Sequence, residues 1–340
     1  MPDPKVRGPG TGYLHQMRTS DLVVVVTGAS SGIGRATALE FAGRGGSLVL
    51  AARREHALAE VARQCRERGG QAVVVPTDVA DADAVRRLAD VAVERFGRID
   101  VWVNAAAVTI WGPFLDTPLA DMRRVLDVDL LGTVHGAMAA LPVMRGQGRG
   151  VLVNVSSVLG AVPQPYGSAY SMVKFGVRGL SGSLRQELRL ERVRGVRVCT
   201  VLPSTTDTPL FGQAANYTGR AVRALPPVYS AERVASAIVS LVRRPRREVV
   251  VGPLGRALRA QAGLTPGLVE RITAVHVDTM NLSRHDPAPA TDGNLYEPAP
   301  GSGSVAGGWH GRRRTAIRQA AAAAAAVTAL TIARRRRSAA

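Results

Sequence analysis

Leu22-Val23-Val24-Val25-Val26-Thr27-Gly28-Ala29-Ser30-Ser31-Gly32-Ile33-Gly34 decides how the rest of the chain is read. Five apolar residues in a row, without alternation, are the pattern of a strand covered on both faces. A helical pattern follows at 33–44. The glycines between them permit a tight turn and let backbone amides come close to a pyrophosphate, and the helix N-terminus adds a partial positive charge. A glycine triplet alone is a weak sign. Placed after a strand and before a helix, this one reads as the opening of a βαβ unit that holds a dinucleotide, against the plainer reading of an ordinary tight turn.

Outward from that turn the pattern repeats. Apolar runs at 22–26, 47–52, 71–75, 100–104, 150–155, 196–202 and 248–251 alternate with helical patterns at 33–44, 55–68, 82–96, 119–145, 168–192 and 231–243. Alternation on this scale predicts parallel strands with right-handed helical crossovers. The expected fold class is α/β, a doubly wound parallel seven-stranded sheet of Rossmann type, with a disordered N-terminal leader and a C-terminal extension. The expected division is a leader at 1–20, a catalytic domain at 21–280, a Pro/Gly/Ser-rich flexible linker at 281–311 and a basic, alanine-rich tail helix at 312–340. Residues 254–280 read as short helices, and 203–228 as irregular.

Composition narrows the function classes. Hydrophobic residues make up 46% but aromatics only 4%, so Val, Leu and Ala must build the core and aromatic stacking platforms for nucleic acid are lacking. The formal charge of +18 is uneven: residues 300–340 hold eight arginines and no acid. The remainder is spread over arginine-rich helices with acids between them, and no nucleic-acid partner is expected. Cys65 and Cys199 have no metal-ligand spacing and read as buried thiols; no metal site is expected. The first twenty residues are polar and show no signal peptide, and a cytoplasmic location is expected. The uncharged stretch 320–333 is fourteen residues long. As a helix it spans roughly 21 Å, against about 30 Å for a bilayer core. That favours a solvated helix, or peripheral contact with anionic lipid through Arg334–Arg337, over a membrane span.

The end of the second strand bears on cofactor choice. An acid there would bind the ribose 2′-hydroxyl of NAD. This chain has Ala51-Ala52-Arg53-Arg54, and Arg53 is the first choice for a guanidinium that holds the 2′-phosphate of NADP. Asp78-Val79, after the third strand, reads as the adenine edge, with a helix cap as the plainer role for Asp78. Tyr170 and Lys174 are four apart and share a helix face, so a phenol and an ammonium can form a proton-transfer pair.

These motifs, in this order, resemble the short-chain dehydrogenase/reductase family over about residues 21–252: Thr27-Gly28-x-x-x-Gly32-x-Gly34, Asp78-Val79, Asn104-Ala105-Ala106-Ala107, Ser157, Tyr170-x-x-x-Lys174, and Pro203 with Thr208. The resemblance implies that Tyr170 exchanges the proton on the substrate oxygen. It also implies that Lys174 lowers the tyrosine pKa and holds the nicotinamide ribose, and that Ser157 hydrogen-bonds the substrate oxygen. Thr27, Gly28, Ser30, Ser31, Gly32, Ile33, Gly34, Asn104, Ala105, Ala106, Pro203 and Thr208 would surround the cofactor. A dimer or tetramer through the helices at 119–145 and 168–192 is likewise implied. Three positions depart from the family pattern. Asp129 replaces its catalytic asparagine, keeping an oxygen but losing the amide donor. Ala105-Ala106-Ala107 replaces Asn-Ala-Gly, and Ser204 follows Pro203 in place of glycine.

The expected activity is hydride transfer between NADP(H) and a hydrophobic ketone or secondary alcohol. Leu210, Phe211, Tyr217, Pro226, Pro227, Val228 and Tyr229, with Trp111, Phe114 and Tyr166, are expected to make an apolar pocket; Arg220 and Arg223 are read as facing solvent. Asp129 motivates the alternative of a catalytically weak nucleotide-binding member of the same family that acts as a sensor or structural partner.

Overall fold

The structure, a computed structural model, describes residues 18–301 and 303–309. The expected leader, up to residue 17, and the expected tail helix lie outside the described residues.

Seven strands and their helices follow the alternation of the sequence: β1 (Val23–Thr27), α1 (Gly32–Ala42), β2 (Ser47–Ala52), α2 (Glu55–Glu67), β3 (Gln71–Pro76), α3 (Ala82–Phe96), β4 (Val101–Asn104), α4 (Leu119–Gly146), β5 (Gly150–Val155), α5 (Ser168–Leu190), β6 (Val196–Pro203), α6 (Ala231–Arg243) and β7 (Glu248–Val251). All neighbours are parallel, in the order β7-β6-β5-β4-β1-β2-β3. The chain winds outward from β1 to β3, then crosses to β4 on the other side of β1. Beyond the carboxyl ends of β1 and β4 the strand order reverses and opens a crevice, the place where such sheets bind ligands.

Because successive side chains on a strand point to opposite faces, each strand feeds two cores. Val24, Val26, Leu48, Leu50, Val101 and Val103 pack under α1, α2 and α6. Val25, Val49, Trp102 and Leu152 pack under α3, α4 and α5. This is the doubly wound, seven-stranded, Rossmann-type sheet the pattern predicts. Both cysteines are buried, and desolvation pushes each thiol up to about 11.

Three features position the site beyond what the alternation predicts. α4 contains a π-helical turn, Leu126–Leu131, a widening frequent at functional sites. After β7 the chain forms a helical pair, α7 (Pro253–Leu264) and α8 (Pro266–His276), over the end of the crevice.

The third feature concerns the segment read as a linker, which lies against the domain. Leu282–Pro287 pairs antiparallel with Arg220–Val222, and Thr291 bridges to Asn216 through both backbone groups. Leu295 is fully buried in the second core. Proline and glycine lower helix and strand propensity, but they do not prevent irregular backbone from docking where each polar group finds a partner.

Candidate active site

One cleft of about 580 Å³ opens at the crevice. Its walls include Gly28, Ser30, Ser31, Gly32, Ile33, Arg53, Asp78, Val79, Ala105, Ala106, Pro203 and Thr208, together with Ser157, Tyr170 and Lys174. Residues from the ends of β1 to β6 and the start of α5 therefore meet in one place. Thr27, Gly34 and Asn104 are absent from these walls and hold the frame instead. The Thr27 hydroxyl oxygen accepts from the Ala105 and Ala106 amides at 3.1 and 3.3 Å. A Cβ on Gly34 would lie 2.2 Å from the Gly28 carbonyl oxygen, so only glycine lets α1 begin there. Asn104 is buried and tied to Trp102, Asn154 and the Thr133 carbonyl. At Gly28, with φ of +68°, a Cβ would meet the Ala106 backbone at 2.7 Å.

Tyr170 and Lys174 lie on one face of α5, with the ammonium 5.0 Å from the centre of the phenol ring. Ser157 lies two residues past the end of β5, its hydroxyl accepting from the Leu159 amide. Behind Lys174, Asp129 is carried inward by the π-helical turn: its Oδ2 is 2.9 Å from Lys174 Nζ, and its Oδ1 accepts from the Val108 amide at 2.8 Å. Both members of the pair are almost wholly buried. Desolvation pushes the Asp129 carboxyl upward against the pull of Lys174 and the Val108 amide. Desolvation opposes the ammonium as well, but the Asp129 charge holds the Lys174 pKa above its ordinary value.

The Tyr170 phenol is shifted upward. Burial raises it most; Lys174 pulls it down, Asp129 pushes it up, and a hydrogen bond with Ser157 pulls it down. The net direction is opposite to the lowering expected from the lysine alone, because burial of the phenol outweighs the cation's pull, which Asp129 also offsets in part.

Arg53 is held rather than solvated. Its Nη1 donates to the carbonyls of Leu295 and Tyr296 at 3.1 and 2.7 Å, and its Nη2 to that of Asn294 at 2.7 Å. Arg54, missed as a site residue although it adjoins Arg53, is buried beside Ser30, donating to its Oγ at 3.2 Å and to the Ala299 carbonyl at 2.9 Å. Neither arginine makes an ion pair among the described residues; the acceptors are neutral. Desolvation lowers both guanidiniums; at Arg53 the charges of Asp78 and Glu297 oppose it while Arg124 and Arg54 add to it, and at Arg54 the charge of Arg35 adds to it. Asp78 pairs with Arg124 at 2.5 Å and accepts from the Ala80 amide, whereas the helix cap of α3 is Asp81.

At the far end, Trp111, Leu210, Phe211, Pro226, Pro227 and Tyr229, all expected in the apolar pocket, line the cleft. Phe114, which is 64% exposed, does not, and neither do Tyr166, Tyr217 or Val228. Tyr217 instead hydrogen-bonds Asp121. Leu254, Leu258, Ile272, Val277 and Met280, from the α7–α8 pair and its exit, complete the apolar wall. Their spacing along two amphipathic helices is a signal the sequence carries, without saying what it faces. Arg220 and Arg223 are engaged by Asp278 and Asp286 and stay out of the cleft walls.

The model of the short chain dehydrogenase family matches residues 22–217. An uncharacterized oxidoreductase of Bacillus subtilis, YxnA, is 37% identical over 257 residues, 75% of this chain and 72% of its own. The cis-4-hydroxycyclohexanecarboxylate dehydrogenase of Sinomonas cyclohexanicum is 43% identical over 192 residues, covering 56% of this chain and 76% of that one. Among solved structures, a short chain dehydrogenase/reductase of Burkholderia phymatum in complex with NAD superposes with a TM-score of 0.67 at 26% identity, over 75% of this chain and 97% of that one. An alcohol dehydrogenase of the archaeon Thermococcus sibiricus, complexed with 5-hydroxy-NADP, gives 0.59 at 27% identity, over 67% and 95%. The family match extends over more than half of the chain and includes the glycine turn and the Tyr170–Lys174 pair, and the chain belongs to the short-chain dehydrogenase family of oxidoreductases.

Proposed function

We propose that this protein is an NADP-dependent oxidoreductase that transfers a hydride between the nicotinamide and a hydrophobic ketone or secondary alcohol. The observation that carries the reading is that Tyr170, Lys174 and Ser157 open into the same cleft as the glycine turn, with apolar side chains at its far end.

The cleft residues fit a dinucleotide. The close approach of Gly28 to Ala106 keeps the floor at backbone depth, and Ser31, Gly32 and Ile33 at the N-terminus of α1 line the cavity, although the Gly32 amide is given to the Ser304 carbonyl. Arg53 and Arg54 are desolvated and hydrogen-bonded to neutral acceptors, with Asp78 and Glu297 acting on Arg53 only through their fields; guanidiniums so placed suit a phosphate dianion, which supports NADP over NAD. A bound nicotinamide supplies the hydride. The chain's own residues supply the rest. The Tyr170 hydroxyl gives its proton to the substrate oxygen in reduction and takes it back in oxidation. Ser157 donates to the same oxygen and holds it. Lys174 stabilises the phenolate left by donation, and Asp129 keeps Lys174 protonated in its buried place. A phenol shifted upward remains protonated at neutral pH, which suits reduction.

The named substrate of the Sinomonas relative carries a secondary alcohol and a carboxylate on an alicyclic ring; the apolar wall from Trp111 to Met280 suits such a ring, which supports the alicyclic part of that class here. The test is NADPH consumption against a panel of apolar and alicyclic ketones, with NADH in parallel. Tight cofactor binding without turnover of any ketone or alcohol would favour the sensor reading, for which the Lys174–Asp129 pair is the motive.

An oligomer is supported by an apolar groove along α4 and α5, lined by Val134, Met138, Leu141, Leu180 and Leu184, with Met138 69% exposed. Light scattering of the wild type and of Met138→Asp tests it: a dimer or tetramer should dissociate in the variant.

A further inference from the structure

Residues 291–301 and 303–309 lie along the cleft from the Arg53 end to the Asp207 end. At the Arg53 end, Asn294, Leu295 and Tyr296 give their carbonyls to that guanidinium, and Leu295 is sunk in the core. At the glycine turn, the Gly32 amide donates to the Ser304 carbonyl at 2.8 Å, and Arg35 to that of Gly303 at 2.8 Å. At the far end, Asp207 Oδ1 accepts from the amides of Gly307 and Trp309 at 2.8 Å each, and the Trp309 ring meets Phe211 edge-on at 5.9 Å. Asn294, Pro298 and Ala299 are walls of the same cavity of about 580 Å³ as Gly28, Ser31 and Tyr170.

We propose that this segment is a strap that roofs the cofactor site, so that the dinucleotide is held between strap and sheet and enters or leaves only when the strap lifts. This rests on the dinucleotide reading above. Three physical points support it. The anchors are backbone hydrogen bonds and one buried leucine, spread over the length of the cleft, so closure is cooperative along the segment. The described strap bears few charged side chains, and its carbonyls face guanidiniums already present, so it closes without burying a new charge. A roofed site excludes water from the proton-transfer pair, as lids do.

Two glycines make the strap testable in the full chain. Gly303 has φ of +71°, and a Cβ there would meet the Ser30 carbonyl oxygen at 2.4 Å; a Cβ on Gly307 would meet that of Thr208 at 2.2 Å. In Gly303→Val and Gly307→Val the strap cannot keep its seat, while sheet and helices are untouched. Cofactor dissociation is read by stopped-flow fluorescence after mixing the NADPH or NADH complex with excess competing nucleotide. Both variants should release the cofactor at least about ten-fold faster than wild type, with unchanged far-UV circular dichroism. Hydrogen exchange on the wild type is the second measurement: cofactor should slow exchange of the Gly307 and Trp309 amides several-fold. Unchanged release, tighter binding in the variants, or exchange indifferent to cofactor would each overturn the strap. If wild type binds neither nucleotide, the dinucleotide reading itself fails and the strap with it; if it binds NADH as well as NADPH, only the 2′-phosphate assignment falls.

Discussion

Lys174 and Asp129 meet at 2.9 Å behind the phenol of Tyr170, both nearly without solvent contact. The pair binds α5 to the π-helical turn of α4 and places a negative charge where it opposes the lysine's influence on the tyrosine. A buried pair of this kind is costly to break from one side, because the partner is left charged and dry. Lys174 therefore has two duties: it steadies the phenolate and it neutralises Asp129.

Replacing Asp129 by asparagine separates those duties. Without the carboxylate, Tyr170 loses an upward influence while Lys174 loses the charge that opposes its own desolvation; with Lys174 still charged, the Tyr170 pKa falls. Reduction needs the protonated phenol, so its alkaline limb should move to lower pH. Oxidation needs the phenolate, so it should gain at neutral pH. Turnover at the optimum should equal or exceed wild type. A pH–rate profile in both directions decides; an unmoved alkaline limb means that Asp129 does not act on Tyr170.

Tyr170→Phe removes the proton donor and little else. Turnover should fall by about 10²–10⁴-fold, the usual worth of general acid catalysis. Cofactor affinity by fluorescence titration should stay within about two-fold. A fully active variant would take Tyr170 out of the mechanism.

Arg53→Ala should weaken NADPH by about 1–3 kcal/mol, the value of a hydrogen bond to a charged group. NADH should lose less, through the strap carbonyls that Arg53 also holds. Equal losses for the two cofactors would place the 2′-phosphate elsewhere, with Arg54 the next guanidinium to test.

Leu295→Ala tests whether the C-terminal segment belongs to the fold. A fully buried leucine truncated to alanine costs about 2–5 kcal/mol. Thermal or urea unfolding should show that loss in full. A side chain on a free leash would give none.

The sequence by itself determined the sheet. Runs such as 22–26 and 47–52 are covered on both faces and therefore carry no polar alternation, and each helix between them shows its own period; both signals are local, so β1 to β7 and α1 to α6 fall within a few residues of the expected bounds. The glycine turn and the Tyr170–Lys174 spacing are local too, and the walls of the cleft contain them. What only the tertiary structure decided depends on partners far apart in the chain. Thr27, Gly34 and Asn104 sit in the right motifs but spend their contacts on the frame, which no spacing reveals. The direction of the Tyr170 shift is set by the burial of the phenol itself, with the Asp129 charge adding to it against the pull of Lys174. The fate of residues 282–301 and 303–309 was the least legible: their composition describes low intrinsic order, yet backbone carbonyls have no sequence signature, and it is carbonyls that meet Arg53, Arg54 and the Gly32 amide. Local propensity sets which segments can be regular; the docking of an irregular one is fixed by the donors it happens to cross.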